Sequence, residues 1–129
     1  MAATVKAMPL FDVLAFAPVA VRTTTLTGAA LDIRAYEGLM RINLHGLRAT
    51  GDLTPTIEDS VDGSTGWVVV PASALDSAFT AVTAGTDFLQ SRVLDKTQTR
   101  GFIRLIGTAA NTPSHTYGAA VVGVKKYRP

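Results

Sequence analysis

Apolar and polar positions alternate with a period of two through the middle of the chain. Met40, Ile42 and Leu44 interleave with Arg41, Asn43 and His45, and Leu53, Pro55 and Ile57 interleave with Thr54, Thr56 and Glu58. This period turns successive side chains to opposite faces of a strand, so each segment predicts a strand with one buried face. Asp62-Gly63-Ser64-Thr65-Gly66 follows, and then the aromatic and β-branched run Trp67 to Val70, closed by Pro71. Asp-Gly between such runs is a hairpin signal, because both residues accept the positive φ that a tight turn between twisted strands requires. Asp62 and Gly63 are therefore the expected hairpin, with Trp67, Ile42, Leu44, Ile57 and Leu105 as expected core.

The same reading extends to both ends. Residues 19–27 predict a first strand, with Val19, Val21, Thr23 and Thr25 on one face. Residues 30–33 form a short segment with Leu31 and Ile33 directed inward. Residues 46–51 are the expected connection between two strands. Pro55 has no amide hydrogen and should lie on an edge or at a bulge. Residues 73–82 are the one stretch with helical spacing: Ser73 as cap, then Leu75, Phe79 and Val82. A loop with one helical turn is the competing reading. Phe88 marks a further strand, residues 101–107 another with Ile103 and Leu105 opposite Arg104, and residues 117–124 the last, beyond a turn at 111–114. The prediction is an all-β fold, an antiparallel β-sandwich of jelly-roll type with at most one short helix near residues 73–82. Residues 19–129 form the domain. Residues 1–18, broken by Pro9 and Pro18, form either a cover over one open end or an arm reaching a neighbouring subunit.

Composition narrows the function more than the fold. A chain of 129 residues suits one domain that buries a core without disulfides. It has no cysteine, which removes thiolate chemistry and sulfur-ligated metals. Charged residues are only 17%, with threonine, alanine and glycine filling the gap, as suits a protein lying against other protein and equally a secreted or cell-surface domain. The net charge of +2 is spread along the chain, and Lys125-Lys126-Tyr127-Arg128 is the only basic run. It reads as a solvated tail rather than a phosphate-binding surface. No apolar run reaches the 18 residues a spanning helix needs. Lys6 and the apolar residues up to Ala17 imitate a cleavable signal, but Pro9 and Asp12 interrupt it.

Candidate chemistry is sparse. Two histidines, His45 and His115, cannot form a three-histidine metal site. Glu58, Asp59 and Asp62 cluster near a turn without the order of a calcium loop. No nucleophile elbow, phosphate loop or dinucleotide fingerprint occurs. The sequence predicts no enzyme, cofactor or metal. Arg41, Asn43 and His45 would share a polar face with Thr54, Thr56 and Glu58 if their strands pair directly. Trp67, Tyr36, Tyr117 and Tyr127 could stack on sugars, although a tryptophan beside three valines reads as core.

One resemblance bears on function. The progression Thr25-Leu26-Thr27-Gly28 through Tyr36-Glu37-Gly38 and the Met40–Leu44 alternation come first. Thr56-Ile57-Glu58-Asp59-Ser60 with Asp62-Gly63-Ser64-Thr65-Gly66-Trp67, then Arg100-Gly101-Phe102-Ile103-Arg104 and the closing 119–124 segment complete it. Together they resemble small accessory virion proteins of tailed bacteriophages, some of which are decoration or cement proteins. The resemblance implies a structural virion protein on the outer surface of the capsid, a dimer or trimer with itself, bridging major capsid protein subunits. It implies neither a membrane nor a specific nucleic acid as partner. Leu10, Phe11, Leu14, Phe16, Lys125, Lys126, Tyr127 and Arg128 become the candidate intersubunit or capsid contacts. A carbohydrate-binding or adhesion module, or a tail component, is the alternative.

Overall fold

Two long strands organise the molecule. The computed structural model describes residues 11–126, and in it β4 (Tyr36–Ser60) runs antiparallel to β7 (Phe102–Lys125) along almost its whole length, from Tyr36↔Lys125 to Ser60↔Phe102. The remaining strands are β1 (Phe11–Arg22), β2 (Leu26–Thr27), β3 (Leu31–Asp32), β5 (Val68–Val69) and β6 (Asp87–Asp95). β1 pairs with the second half of β7, and β6 with the first half of β4. β2 and β3 pair with the first half of β7, and β5 with the end of β4. All pairings are antiparallel and all belong to one hydrogen-bonded sheet. The all-β class is as the alternation predicts.

The sheet doubles back on itself. Gly107 and Tyr117 both lie in β7, where ten residues of straight strand span about 33 Å. Yet a methyl group on Gly107 would overlap the Tyr117 hydroxyl, so the strand must turn a corner between them. Asn111 and Thr112 make that corner with φ of 59° and 55°. β4 turns with it: its register against β7 breaks on both sides of Thr50, and Gly51 has φ of 76°. The two halves of each long strand thus face one another across a single core. Met40, Ile42 and Leu44 contribute from one layer, and Leu53, Ile57, Ile103 and Leu105 from the other. The sandwich is one sheet folded at a corner rather than two sheets stacked.

Several expectations change at this level. Residues 46–51 connect nothing; they are the bent middle of β4. Residues 111–114 are likewise the bend of β7, because the two strands resume their pairing on either side of it, at Thr50↔Ser114 and Asp52↔Ala110. The first strand begins at Phe11 rather than Val19, so the expected boundary at residue 18 falls inside β1. The stretch 73–82 is not an α-helix. A single 3-10 turn, Ala72–Ala74, follows Pro71. Beyond it Leu75 bridges to Leu94 and Val82 to Leu53, so strand-like anchoring wins over helical spacing. Trp67 is not core. It is half-buried with the Arg104 guanidinium 4.3 Å above its ring, because β5 lies on the sheet's edge and is itself exposed. Arg41, Asn43 and His45 do not pair with Thr54, Thr56 and Glu58; each set pairs with β7. Pro55 pairs with Gly107 on one side and lies between the short contacts of β5 and Val82 on the other, a locally open position.

Candidate functional site

One layer of the fold presents a broad outer face. It is built from β1, the second half of β7, the first half of β4, and β6. Their registers align Val13, Val122, Arg41 and Val93 in one row, and Ala15, Ala120, Asn43 and Ser91 in the next. Direct opposition in an antiparallel ladder puts these side chains on the same face. The alternate positions, Leu14, Val121 and Ile42, point inward. Beyond these rows lie Leu39 opposite Asp95, Leu89 opposite His45, and Leu47 opposite Thr116. Val13, Leu39 and Leu89 are 72%, 64% and 75% exposed, far more than large apolar groups on a solvated sheet need be. Alanines and Gly118 keep the centre low. A shallow depression of about 300 Å³ is bordered by Leu39, Val93, Val122 and Val124.

Three polar groups at the centre of this face bond one another. Arg41 Nη1 donates to Ser91 Oγ at 2.8 Å, and Ser91 Oγ donates to Asn43 Oδ1 at 2.7 Å. A flat face with apolar edges and internally paired polar groups is suited to another protein surface rather than to a small ligand, which needs concavity. The largest cavity among those described, about 360 Å³, lies beside β5 and is lined by Pro55, Ile57, Val70, Leu75 and Phe79 among others. No acid, base or cation is in its lining.

The predicted contact residues divide. Phe16 is 2% exposed and belongs to the core, and Leu14 packs against that core, so neither offers itself to a partner. Both lie on the inward side of β1, a position that a turn-rich reading of residues 1–18 does not reveal. Phe11 pairs with Val124. Lys125 Nζ lies 3.4 Å from Asp12, and Tyr36 donates to the same carboxylate at 2.7 Å, so this cation anchors β1 to the sheet. That bond and burial push the Tyr36 hydroxyl up to about 12. Lys126 is exposed, its amide donating to the Ala35 carbonyl. Leu10, Tyr127 and Arg128 lie outside the described residues. The residues that sequence reasoning missed are Val13, Leu39, Leu47 and Leu89. Their signal was present where neighbours such as Leu39-Met40 and Val121-Val122 are both apolar, which gives a strand two apolar faces.

The acidic candidates are spoken for. Glu58 pairs with Arg104 at 2.7 Å and Asp59 with Arg100 at 2.8 Å. Asp62 accepts from the amides of Ser64 and Thr65 at 2.9 Å each, and from the hydroxyls of Thr65 and Ser60. These amides hold its carboxyl well below the usual carboxylate range. Its contribution is therefore present above the unfolded pKa, near pH 4, and is lost as pH falls below it. We expect Asp62→Ala to lower the urea midpoint by a constant amount above about pH 4, with the gap closing on further acidification. A gap independent of pH would show that the ionised carboxylate is not what holds the turn. His45 is exposed on the outer face, whereas His115 is buried at the corner. Burial and the neighbouring Arg48 push the His115 imidazole below its ordinary value, which favours the neutral form.

Comparison with known proteins places this architecture. No protein-family model matches the chain, and no curated protein matches it either. Among solved structures, the fold is similar to that of the SPBc2 prophage-derived protein YomS, with a TM-score of 0.51, 11% identity, and coverage of 89% of this chain and 96% of that one. It is also similar to a chain in the structure of the infectious bursal disease virus Gx strain, with a TM-score of 0.51, 15% identity, and coverage of 93% of this chain and 34% of the viral one. At these identities the likeness is one of fold, and the folded antiparallel sheet described above is the feature it establishes.

Proposed function

We propose that the protein is a structural component of a virion, specifically a decoration or cement-type protein that seats on the outer surface of a phage capsid and bridges major capsid subunits. The observation that carries this reading is a fold shared with a prophage-derived protein along nearly the whole of both chains. The flat outer face supports it: Val13, Leu39 and Leu89 offer contact area around a centre of small residues. A cement protein acts by mass action, since many copies binding the closed shell favour it over its dissociated subunits. Such a role needs area and repetition, not perturbed acids and bases. The carbohydrate-binding alternative draws no support from the aromatic residues. Tyr117 is buried, and Trp67 is covered on one face by Arg104.

The test is co-sedimentation of the purified protein with heads of the source phage, followed by thermal rupture of those heads. The protein should pellet with heads at a saturating copy number and raise the rupture temperature. Leu39→Lys with Leu89→Lys, two exposed positions, should weaken pelleting at least tenfold while leaving the fold intact. Pelleting with isolated tails and not with heads would move the protein to the tail. Pelleting with neither would remove the virion reading.

A further inference from the structure

β1 is the open edge of the sheet. One side pairs with β7 from Phe11↔Val124 to Arg22↔His115, and among the described residues no strand pairs with the other. The edge at β6 is guarded differently. Asp76 lies across it, its amide donating to the Val93 carbonyl at 3.1 Å and its carboxylate accepting from the Val93 amide at 2.9 Å. A free edge is a template for another strand, and chains normally blunt it with brevity, charge, proline or bulges. In β1 the proline and the two irregularities, between Ala15 and Ala17 and between Ala17 and Ala20, are confined to its middle. β1 has 12 residues, and its charged residues are Asp12 near one end and Arg22 at the other.

The sequence of this edge is complementary to itself. Antiparallel pairing centred on Ala17 sets Asp12 against the partner's Arg22, Val13 against the partner's Val21, Leu14 against the partner's Ala20, and Ala15 against the partner's Val19. Opposed residues in such a ladder share a face, and β1 satisfies this at each of these four pairs. Val13, Ala15, Val19 and Val21 are all exposed, whereas Asp12, Leu14, Ala20 and Arg22 are all half-buried. Arg22 has no carboxylate partner among the described residues; its guanidinium lies 5.1 Å over the Tyr117 ring, its Nη2 donates to the Pro18 carbonyl, and its Nε is buried without a hydrogen bond. Asp12 uses Oδ2 for both Tyr36 and Lys125.

We propose that a second copy of this chain docks antiparallel on β1 about a two-fold axis at Ala17, continuing the sheet across two subunits and pairing Asp12 of each with Arg22 of the other. Pro18 has no amide to donate and sits opposite the partner's Phe16, so the ladder forms in two blocks, residues 12–15 against 19–22, on either side of the axis. The paired valines then join the outer faces of both copies into one surface. This dimer does not depend on the virion reading, because it forms without heads.

Sedimentation of the full chain over a hundredfold concentration range should give a species of twice 13.5 kDa. Val21→Lys, at a position 70% exposed, should raise the dimer dissociation constant at least tenfold with an unchanged circular dichroism spectrum. Cross-linking checks the register independently, since the chain has no cysteine of its own. Opposed residues lie about 4.5–5.5 Å apart, within disulfide reach. A mixture of V13C and V21C chains should oxidise to a covalent dimer, whereas either variant alone should not. A monomer at all concentrations, a trimer, a dimer indifferent to Val21→Lys, or equal cross-linking by V13C alone would each overturn the proposal. If Val21→Lys fails to fold, the cysteine mixture decides.

Discussion

Gly51→Ala is expected to destabilise the fold by about 3–5 kcal/mol, from the combined cost of a strained left-handed residue and of overpacking. Gly51 has φ of 76°, where a Cβ meets the following carbonyl. The added methyl would also lie 2.5 Å from Pro113 Cα, 2.7 Å from Ala110 O and 2.8 Å from Asn111 O. Every one of these is a backbone atom, so no side chain can rotate away. Relief would require moving β7 at its own corner, where Asn111 and Thr112 are already at positive φ. Both layers meet there, so the damage should spread through the whole core rather than remain in one turn. Gly38→Ala is the internal control. Its φ of 69° is similar, but nothing lies within 4 Å of the new methyl, so it should cost only the backbone strain, about 1–2 kcal/mol. Urea unfolding of the two variants separates strain from overlap. Equal losses would show that the corner has more freedom than its contacts imply.

That corner also explains what the sequence did and did not disclose. Alternation at Met40–Leu44, Leu53–Ile57 and Ile103–Leu105 is a local property, and it marks strands and their inward faces directly. Whether two such segments are separate strands or one bent strand is decided by pairing with a distant partner. Glycines at 46 and 51 therefore read as a connection, although β7 pairs with β4 on both sides of the break, at Gly46↔Tyr117 and at Asp52↔Ala110. The stretch 73–82 failed for a similar reason. Its helical spacing is real, but Asp76 gains two hydrogen bonds with Val93 at the open edge of β6 that a helix could not make. Trp67 was misplaced because a run of valines looks buried from either side, and only the two-residue length of β5 shows that it lies at the margin. The apolar outer face was the least legible. Its exposed residues are apolar, as core residues are, and burial rather than residue type separates Val13 from Leu14.

The second large effect concerns the hairpin beyond β4. Arg100→Leu should cost about 2–3 kcal/mol, less than the roughly 3–5 kcal/mol of a fully buried pair because the Arg100 side chain is 36% exposed and water reaches the charge left behind. Asp59 is almost fully buried. Its Oδ1 accepts from Arg100 Nε at 2.8 Å and its Oδ2 from the Arg100 amide at 3.0 Å. Arg100 Nη2 additionally reaches the carbonyls of Asp59 at 2.6 Å and Gly66 at 2.8 Å, tying the strand before the turn to the strand after it. Leucine would fill part of the space and supply none of these donors. The Asp32–Arg34 pair shows why distance is a poor guide. It is also 2.8 Å long, but both side chains are about half exposed or more, and water screens them. Asp32→Asn should therefore barely move the unfolding transition. A further variant separates charge from packing: Asp59→Asn in the Arg100→Leu background removes the orphaned charge and should recover part of the loss. If Arg100→Leu and Asp32→Asn proved equally mild, burial would not be what gives the Asp59–Arg100 pair its weight.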